Sequence, residues 1–470
     1  MLKPNLVAAV VSSVILSACS TLPEQSLNNS FDTSVDKTLA QYEIVNTDNL
    51  AVNQQWWQQI NNNELNQFIE QVLQQNQNLK ASAARIRAAV AQLSEQQKTN
   101  WPQGSLSVSA NRDKGVTTGT SNIAESVNVG ASLAWQLDLS GRLSALSAAA
   151  EAAAQNNQAL HQTLVTELVS SSVRSYLYWQ NLQQQKTLTQ SQLGALEASI
   201  EILNARYFEG LSTELELNRT QAQYFELKQR LPQIAAESAR VEAILATLQN
   251  RQPSQLSLTP VSADDYQELK FNIEITSPME ALMKRGDMQS ARAKLLQRQQ
   301  LTISAERALY PDISFAAFAG IFNNQGVNLS DHASSWQFAP QISWSLFSYP
   351  QLLAQLEAQQ ALSEASYHDY QGQVTEVIAN TELSLQLLVQ LEQQVSLAKL
   401  RSKAAIKAYN LANSGYQEGQ LGYLELLNAR QDVLIAEQAQ LVVHNLWLEA
   451  NVNVYNAFNG QWSAALLAKI

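Results

Sequence analysis

The sequence carries few of the residues that do chemistry. Its 470 residues include one cysteine and four histidines. A single cysteine excludes an intrachain disulfide framework. The histidines (His161, His332, His368 and His444) are isolated, without the spacing of metal ligands. No nucleophile motif and no phosphate-cradling glycine loop occurs. No enzymatic activity, cofactor or metal is therefore expected. Charge is sparse as well: Asp, Glu, Lys and Arg make up 15% of the chain, and the net charge is −11. That balance excludes the basic footprint of a nucleic-acid-binding protein. Long apolar runs are missing too, and the one from Leu6 to Leu16 is shorter than a membrane-spanning helix needs.

Another absence is structural. From Arg142 to Tyr207 there is no proline and only one glycine, Gly194. Ala, Leu, Gln, Glu and Ser dominate this stretch, which favours helix. A continuous helix here would be about 100 Å long at the usual rise per residue. Before it, Val127, Val129, Ala131, Leu133, Trp135 and Leu137 alternate with small or polar residues, the pattern of a two-faced β-strand. The same design recurs 209 residues later, where Trp135 returns as Trp344, Pro102 as Pro311 and Leu143 as Leu352. Tyr207-x-Glu209-Gly210 returns as Tyr416-x-Glu418-Gly419, and Leu215-Glu216-Leu217 as Leu424-Glu425-Leu426. A fixed offset held over more than a hundred residues is an internal duplication.

These signals divide the chain. Residues 1–18 read as a signal peptide: Lys3, the short apolar run, then Leu16-Ser17-Ala18-Cys19. That ending resembles a bacterial lipobox, which makes Cys19 the lipid attachment site. Ser20 in place of an aspartate favours the outer membrane over inner-membrane retention. Residues 19–55 form a polar N-terminal arm. The first repeat spans 56–250, with strands at 104–112 and 126–138, then a long helical hairpin. Residues 251–277, with Pro253 and Pro260, form a linker or small equatorial element. The second repeat spans 278–462, with strands at 312–322 and 335–347 and a second hairpin, and 463–470 is a tail. Each strand is about as long as a tilted transmembrane strand requires. Taken alone, the strands would also suit a hairpin of a soluble sandwich.

Near the turns the helices carry a coiled-coil seam. Leu193, Leu196, Ile200, Leu203 and Tyr207 are spaced 3-4-3-4, and Leu217, Thr220, Tyr224, Leu227, Leu231 and Ile234 continue that alternation across the turn. In the second repeat Leu434, Leu441, Leu448 and Tyr455 keep a seven-residue step. Pro232, inside the second helix, is expected to kink or interrupt it. Four strands per chain leave open edges, which lipid does not tolerate, so a barrel must be closed by several chains. The expected fold class is thus a mainly α, α+β membrane protein with an internal two-fold repeat. Antiparallel coiled-coil helices would build an α-barrel beside the strands.

Leu137-Asp138-Leu139-Ser140-Gly141-Arg142, Tyr310-Pro311-Asp312-Ile313, the two Tyr-x-x-Gly turns and the ending Tyr455-Asn456-Ala457-Phe458-Asn459-Gly460-Gln461-Trp462 together resemble the TolC-type outer-membrane efflux proteins, in their lipidated OprM/NodT-like branch. The resemblance covers about residues 56 to 462. It implies a homotrimer with a twelve-stranded barrel in the outer membrane and a helical tunnel in the periplasm. An inner-membrane pump and a periplasmic adaptor would drive solutes through this passive duct. It also implies that Glu209, Gly210, Leu211, Glu418 and Gly419 form the tip where the adaptor docks. Glu425 and Asn428 fall in the segment that resembles the family's periplasmic gate, where Asn428 departs from the acidic residue often found. Both turns also read as plain helix connections, a role compatible with docking, and Glu425 as a solvated helix charge. Export of drugs or other small toxic solutes is the leading expectation. A type I protein secretion component and a secreted or anchored coiled-coil structural protein are the alternatives.

Overall fold

The computed structural model describes residues 55–117, 120–269, 271, 278–323 and 333–458. The signal segment, Cys19, nearly all of the N-terminal arm, His332, the Asn459–Trp462 ending and the tail lie outside the described residues.

A 3-10 turn at Trp56–Ile60 leads into α1 (Asn63–Gln75) and α2 (Gln77–Lys98). Asn62 caps α1 by accepting from the Leu65 amide, and Asn76 caps α2 by accepting from the Asn78 and Leu79 amides. Then come β1 (Gln103–Thr117) and β2 (Thr120–Leu137), followed by α3 (Arg142–Phe208), a single helix of 67 residues. α4 (Glu214–Leu248) returns antiparallel along its lower part. The second repeat contributes α6 (Pro278–Met283), α7 (Gly286–Arg307), β3 (Asp312–Asn323), β4 (Ala333–Ser343), the 69-residue α8 (Tyr349–Gln417) and α9 (Tyr423–Phe458). Between the repeats lies a short α5 (Ala263–Glu268).

The four strands form one antiparallel sheet in the order β1-β2-β3-β4. β2 and β3 belong to different repeats, yet they pair from Val127 opposite Asn323 to Leu137 opposite Ile313. One face carries Leu106, Val108, Leu133, Trp135, Phe315 and Phe338, while its reverse is rich in Ser, Gln and Asn. β1 and β2 run further outward than 104–112 and 126–138, through the turn side of the hairpin. β4 stops at Ser343, short of the residue 347 expected. Its ladder partner there is Asp312, and the preceding Pro311 has no N–H with which to continue it. Beyond, Leu346–Ser348 make a 3-10 turn into α8.

The two strand-to-helix corners are built differently. In the first, the Asp138 carboxylate accepts from the Leu143 amide at 2.9 Å and the Ser144 amide at 2.7 Å, capping α3. In the second, Pro350 sits in the first turn of α8, where its missing N–H leaves no gap. The duplicated tryptophans do the same work in both repeats. The Trp135 indole donates to the Asn100 carbonyl at 2.9 Å, and that of Trp344 to the Leu309 carbonyl at 3.1 Å.

The main core lies where the middle of α3 meets α1, the end of α4 and the end of α9, around Trp56, Leu65, Val173, Tyr176, Leu245 and Leu448. The described part of the segment between the repeats is docked into it: Tyr266 is fully buried, and Leu256, Leu258, Val261 and Phe271 pack against the core. Gln180 clamps this segment from α3, donating to the Thr259 carbonyl at 3.0 Å and accepting from the Val261 amide at 2.9 Å. A second cluster follows the hairpin seam through Leu193, Leu196 and Leu227, with Tyr224 and Leu231 against it. Tyr207 falls off that seam and is exposed, because α3 is near its end there. α4 continues through Pro232 without the interruption expected. Leu227 and Ile234 are buried on either side and hold the helix to its partner despite one missing ladder bond. Among the described residues no helix is long and apolar enough to cross a membrane.

Candidate functional site

The two helical turns carry the residues singled out in the sequence. At the first, the Leu211 amide donates to the Arg206 carbonyl at 2.7 Å and the Gly210 amide to the Tyr207 carbonyl at 3.0 Å. At the second, the Gln420 amide donates to the Gly415 carbonyl at 2.8 Å and the Gly419 amide to the Tyr416 carbonyl at 3.1 Å. Both are Schellman closures, which need a left-handed residue after the helix. Gly210 (φ +74°) and Gly419 (φ +72°) supply it. Glu209 and Glu418 end the outgoing helices. Around the first turn Phe208, Leu211 and Leu215 project into solvent, and Leu421 and Leu424 are partly bare at the second.

Past the first turn, Thr213 and Glu216 form a reciprocal capping box. The Glu216 amide donates to Thr213 Oγ1 at 3.3 Å, and the Thr213 amide donates to Glu216 Oε2 at 2.9 Å. The Ser212 hydroxyl adds a donation to the same carboxylate oxygen at 2.7 Å. Burial pushes the Glu216 carboxyl up, but these bonds and the nearby Arg206 outweigh it and hold the group below the usual carboxylate range. Gly422 and Glu425 occupy the equivalent positions in the second turn. Glycine has no hydroxyl to offer, and the Glu425 carboxylate lies over it, Oε2 being 2.7 Å from where a Cβ would stand. Glu425 is in the first turn of α9 and Asn428 one turn further on, both exposed.

Polar contacts that the sequence did not disclose stitch the two hairpins together behind these turns. Arg206 donates to the Tyr416 hydroxyl at 2.7 Å, with its guanidinium 5.3 Å from the centroid of that ring. Tyr416 stands edge-on to Tyr423 at 5.6 Å, and the Tyr423 hydroxyl shares a buried 2.8 Å hydrogen bond with Thr220. Burial raises the pKa of Tyr423. Higher up, Arg430 of α9 donates to Ser199 at 2.6 Å and to the Tyr409 hydroxyl at 3.1 Å, and Gln192 donates to Glu437 at 2.9 Å. No cluster of His, Cys, Asp and Glu fit to hold a metal occurs among the described residues. The arrangement is that of two hairpins held to each other near their turns by hydrogen bonds.

The family model described as outer membrane efflux protein matches residues 68–251 and 278–460, one match for each repeat and together well over half of the chain. The chain belongs to the outer membrane efflux protein family. Its relatives include the pyoverdine export outer membrane protein OpmQ of Pseudomonas aeruginosa, 24% identical over 87% of this chain and 88% of that protein. Another is the solvent efflux pump outer membrane protein SrpC of Pseudomonas putida, 26% identical over 85% of each. Among solved structures, the outer-membrane channel OprN aligns with a TM-score of 0.82 at 25% identity, covering 90% of this chain and 98% of that one. The α+β channel fold read from the sequence is therefore the one found. The family is one of outer-membrane efflux channels, which are transport ducts and not enzymes. The coiled-coil structural alternative is set aside by that membership.

Proposed function

We propose that three copies of this chain close a twelve-stranded barrel in the outer membrane and a helical tunnel in the periplasm. They would form the exit duct of a tripartite pump for small solutes. The observation that carries this reading is the isolated four-strand sheet. Among the described residues β1 and β4 each have one unpaired edge, and an edge cannot be left bare in lipid. α8 supports it: Leu383, Leu387, Leu397, Leu400 and Leu411 are all about half or more exposed, a face that a neighbouring copy would cover. Cys19 would carry the lipid that fixes the arm to the membrane. The small-molecule cargo follows the names of the relatives, which export pyoverdine or solvents.

In this duct Glu209, Gly210, Leu211, Glu418 and Gly419 would meet the periplasmic adaptor. The apolar knobs Phe208, Leu211 and Leu215 supply a surface to bury, and the tight Schellman turns let another chain approach closely. Glu425 and Asn428 would each become a ring in the trimer, one acidic and one neutral, at the gate. The deciding measurement is the native mass of the full chain extracted from outer membranes in mild detergent. A trimer carrying acyl-chain mass on each subunit is expected. A water-soluble monomer would overturn the reading.

A further inference from the structure

The polar face of the sheet, the lining of the proposed barrel, is made of Ser105, Ser107, Ser109, Asn128, Ser132, Gln337 and similar neutral residues. Among the described strand residues, charge occurs on that face only towards its ends, at Asp113 and Asp312. Two bulky residues interrupt it, Phe318 and Phe322. Phe318 stands in the middle of β3, opposite Ser132 on one side and Gln337 on the other. Its ring does not stand up from the wall. It leans over Gly130 of β2 and Gly320 of β3, which are directly opposite each other in the ladder. A Cβ added at Gly130 would come within 2.5 Å of the ring Cζ, and one at Gly320 within 2.7 Å.

The two glycines are needed for different reasons. At Gly320 a Cβ would also meet backbone, the Val129 carbonyl oxygen at 2.7 Å and Gly130 Cα at 2.9 Å, so the close approach of the strands demands glycine. At Gly130 the other neighbour within reach, the Ala319 carbonyl oxygen at 3.4 Å, is an ordinary contact. The obstacle there is the Phe318 ring alone. An aromatic ring covering glycine backbone stabilises a sheet, and here it also decides how far the ring protrudes. With nothing at Gly130 the ring lies flat; with a methyl group there it must lift away from the wall, towards the pore axis.

We propose that Gly130, by leaving room for the Phe318 ring to lie flat, keeps the exit pore wide at mid-barrel and so open to larger solutes. This rests on the reading that several copies close a barrel, in which one ring per copy acts at the same height. With neutral walls, that level selects by size and not by the sign of charge. The test is the size cut-off for neutral polyethylene glycols of graded mass, added at the barrel mouth of the purified full-length chain in planar lipid bilayers. Gly130→Ala is expected to lower the cut-off, Phe318→Ala to keep or raise it, and the double variant to regain the lost range. Should Gly130→Ala not assemble, Phe318→Trp enlarges the ring without touching the strand pairing and must lower the cut-off as well. An unchanged cut-off in an assembled Gly130→Ala pore, or in Phe318→Trp, overturns the proposal. So does a loss that Phe318→Ala fails to relieve. A wild-type chain that opens no pore would instead sink the channel reading on which it stands.

Discussion

Thr213 and Gly422 hold equivalent places in the two turns, and what separates them is one hydroxyl group. In the first turn that hydroxyl completes a capping box with Glu216. Replacing it by Thr213→Ala should cost about 1 kcal/mol, the usual worth of such a cap, read as faster amide exchange at Glu216 and Leu217. The box is also pH-sensitive. The folded-state pKa of Glu216 is depressed, so its stabilisation is complete above the ordinary carboxylate range and is lost as pH falls through the lowered value. Acidification should therefore free the first turn and should change the Thr213→Ala variant less. An exchange rate at Glu216 and Leu217 that ignores acid in the wild-type chain would contradict this. In the second turn, Glu425 lacks that tether. Glu425→Gln should leave folding unchanged, because the side chain is exposed, and should reduce the cation preference of the open channel measured by reversal potential.

At the scale of elements, the contacts between hairpins matter more than those within them. Tyr423→Phe removes the bond to Thr220 yet does not strand the threonine, whose hydroxyl also donates to the Glu216 carbonyl at 2.9 Å. The loss should be about 1 kcal/mol and should appear as longer or more frequent openings of single channels, with the oligomer intact. Unchanged gating would mean that the hairpins are held elsewhere. These ties show where sequence reading stopped. The seam of Leu193, Leu196 and Leu227 was legible because a coiled coil writes its packing as a seven-residue period. The strands were legible by alternation, although their ends depended on which partner could still pair, as Pro311 shows for β4. The offset of the duplication put Tyr207 and Tyr416 on a par, but in the fold they differ. Tyr416 receives Arg206, whose own counterpart in the second repeat is Gly415, so the symmetric arrangement cannot form. Contacts across the repeats, like the ring of Phe318 over Gly130, leave no period in the chain and appear only once the elements are placed.

For the whole molecule, one protomer is an incomplete object. Among the described residues its sheet shows both faces and two bare edges, and α8 offers leucines to solvent along most of its length. Leu397 and Leu400 are 64% and 62% exposed, so a charge there costs the isolated protomer little. Buried against a neighbouring copy, the same charge would be unpaired and desolvated, a penalty of several kcal/mol per site, repeated at each interface of a closed ring. Leu397→Glu with Leu400→Glu should therefore abolish the oligomer while leaving helix content and the core around Trp56 and Tyr176 intact. Native mass spectrometry combined with circular dichroism separates the two effects. A double variant that still assembles would mean that this stretch of α8 faces the water of the tunnel or the periplasm. The tunnel wall would then have to be closed by other helices.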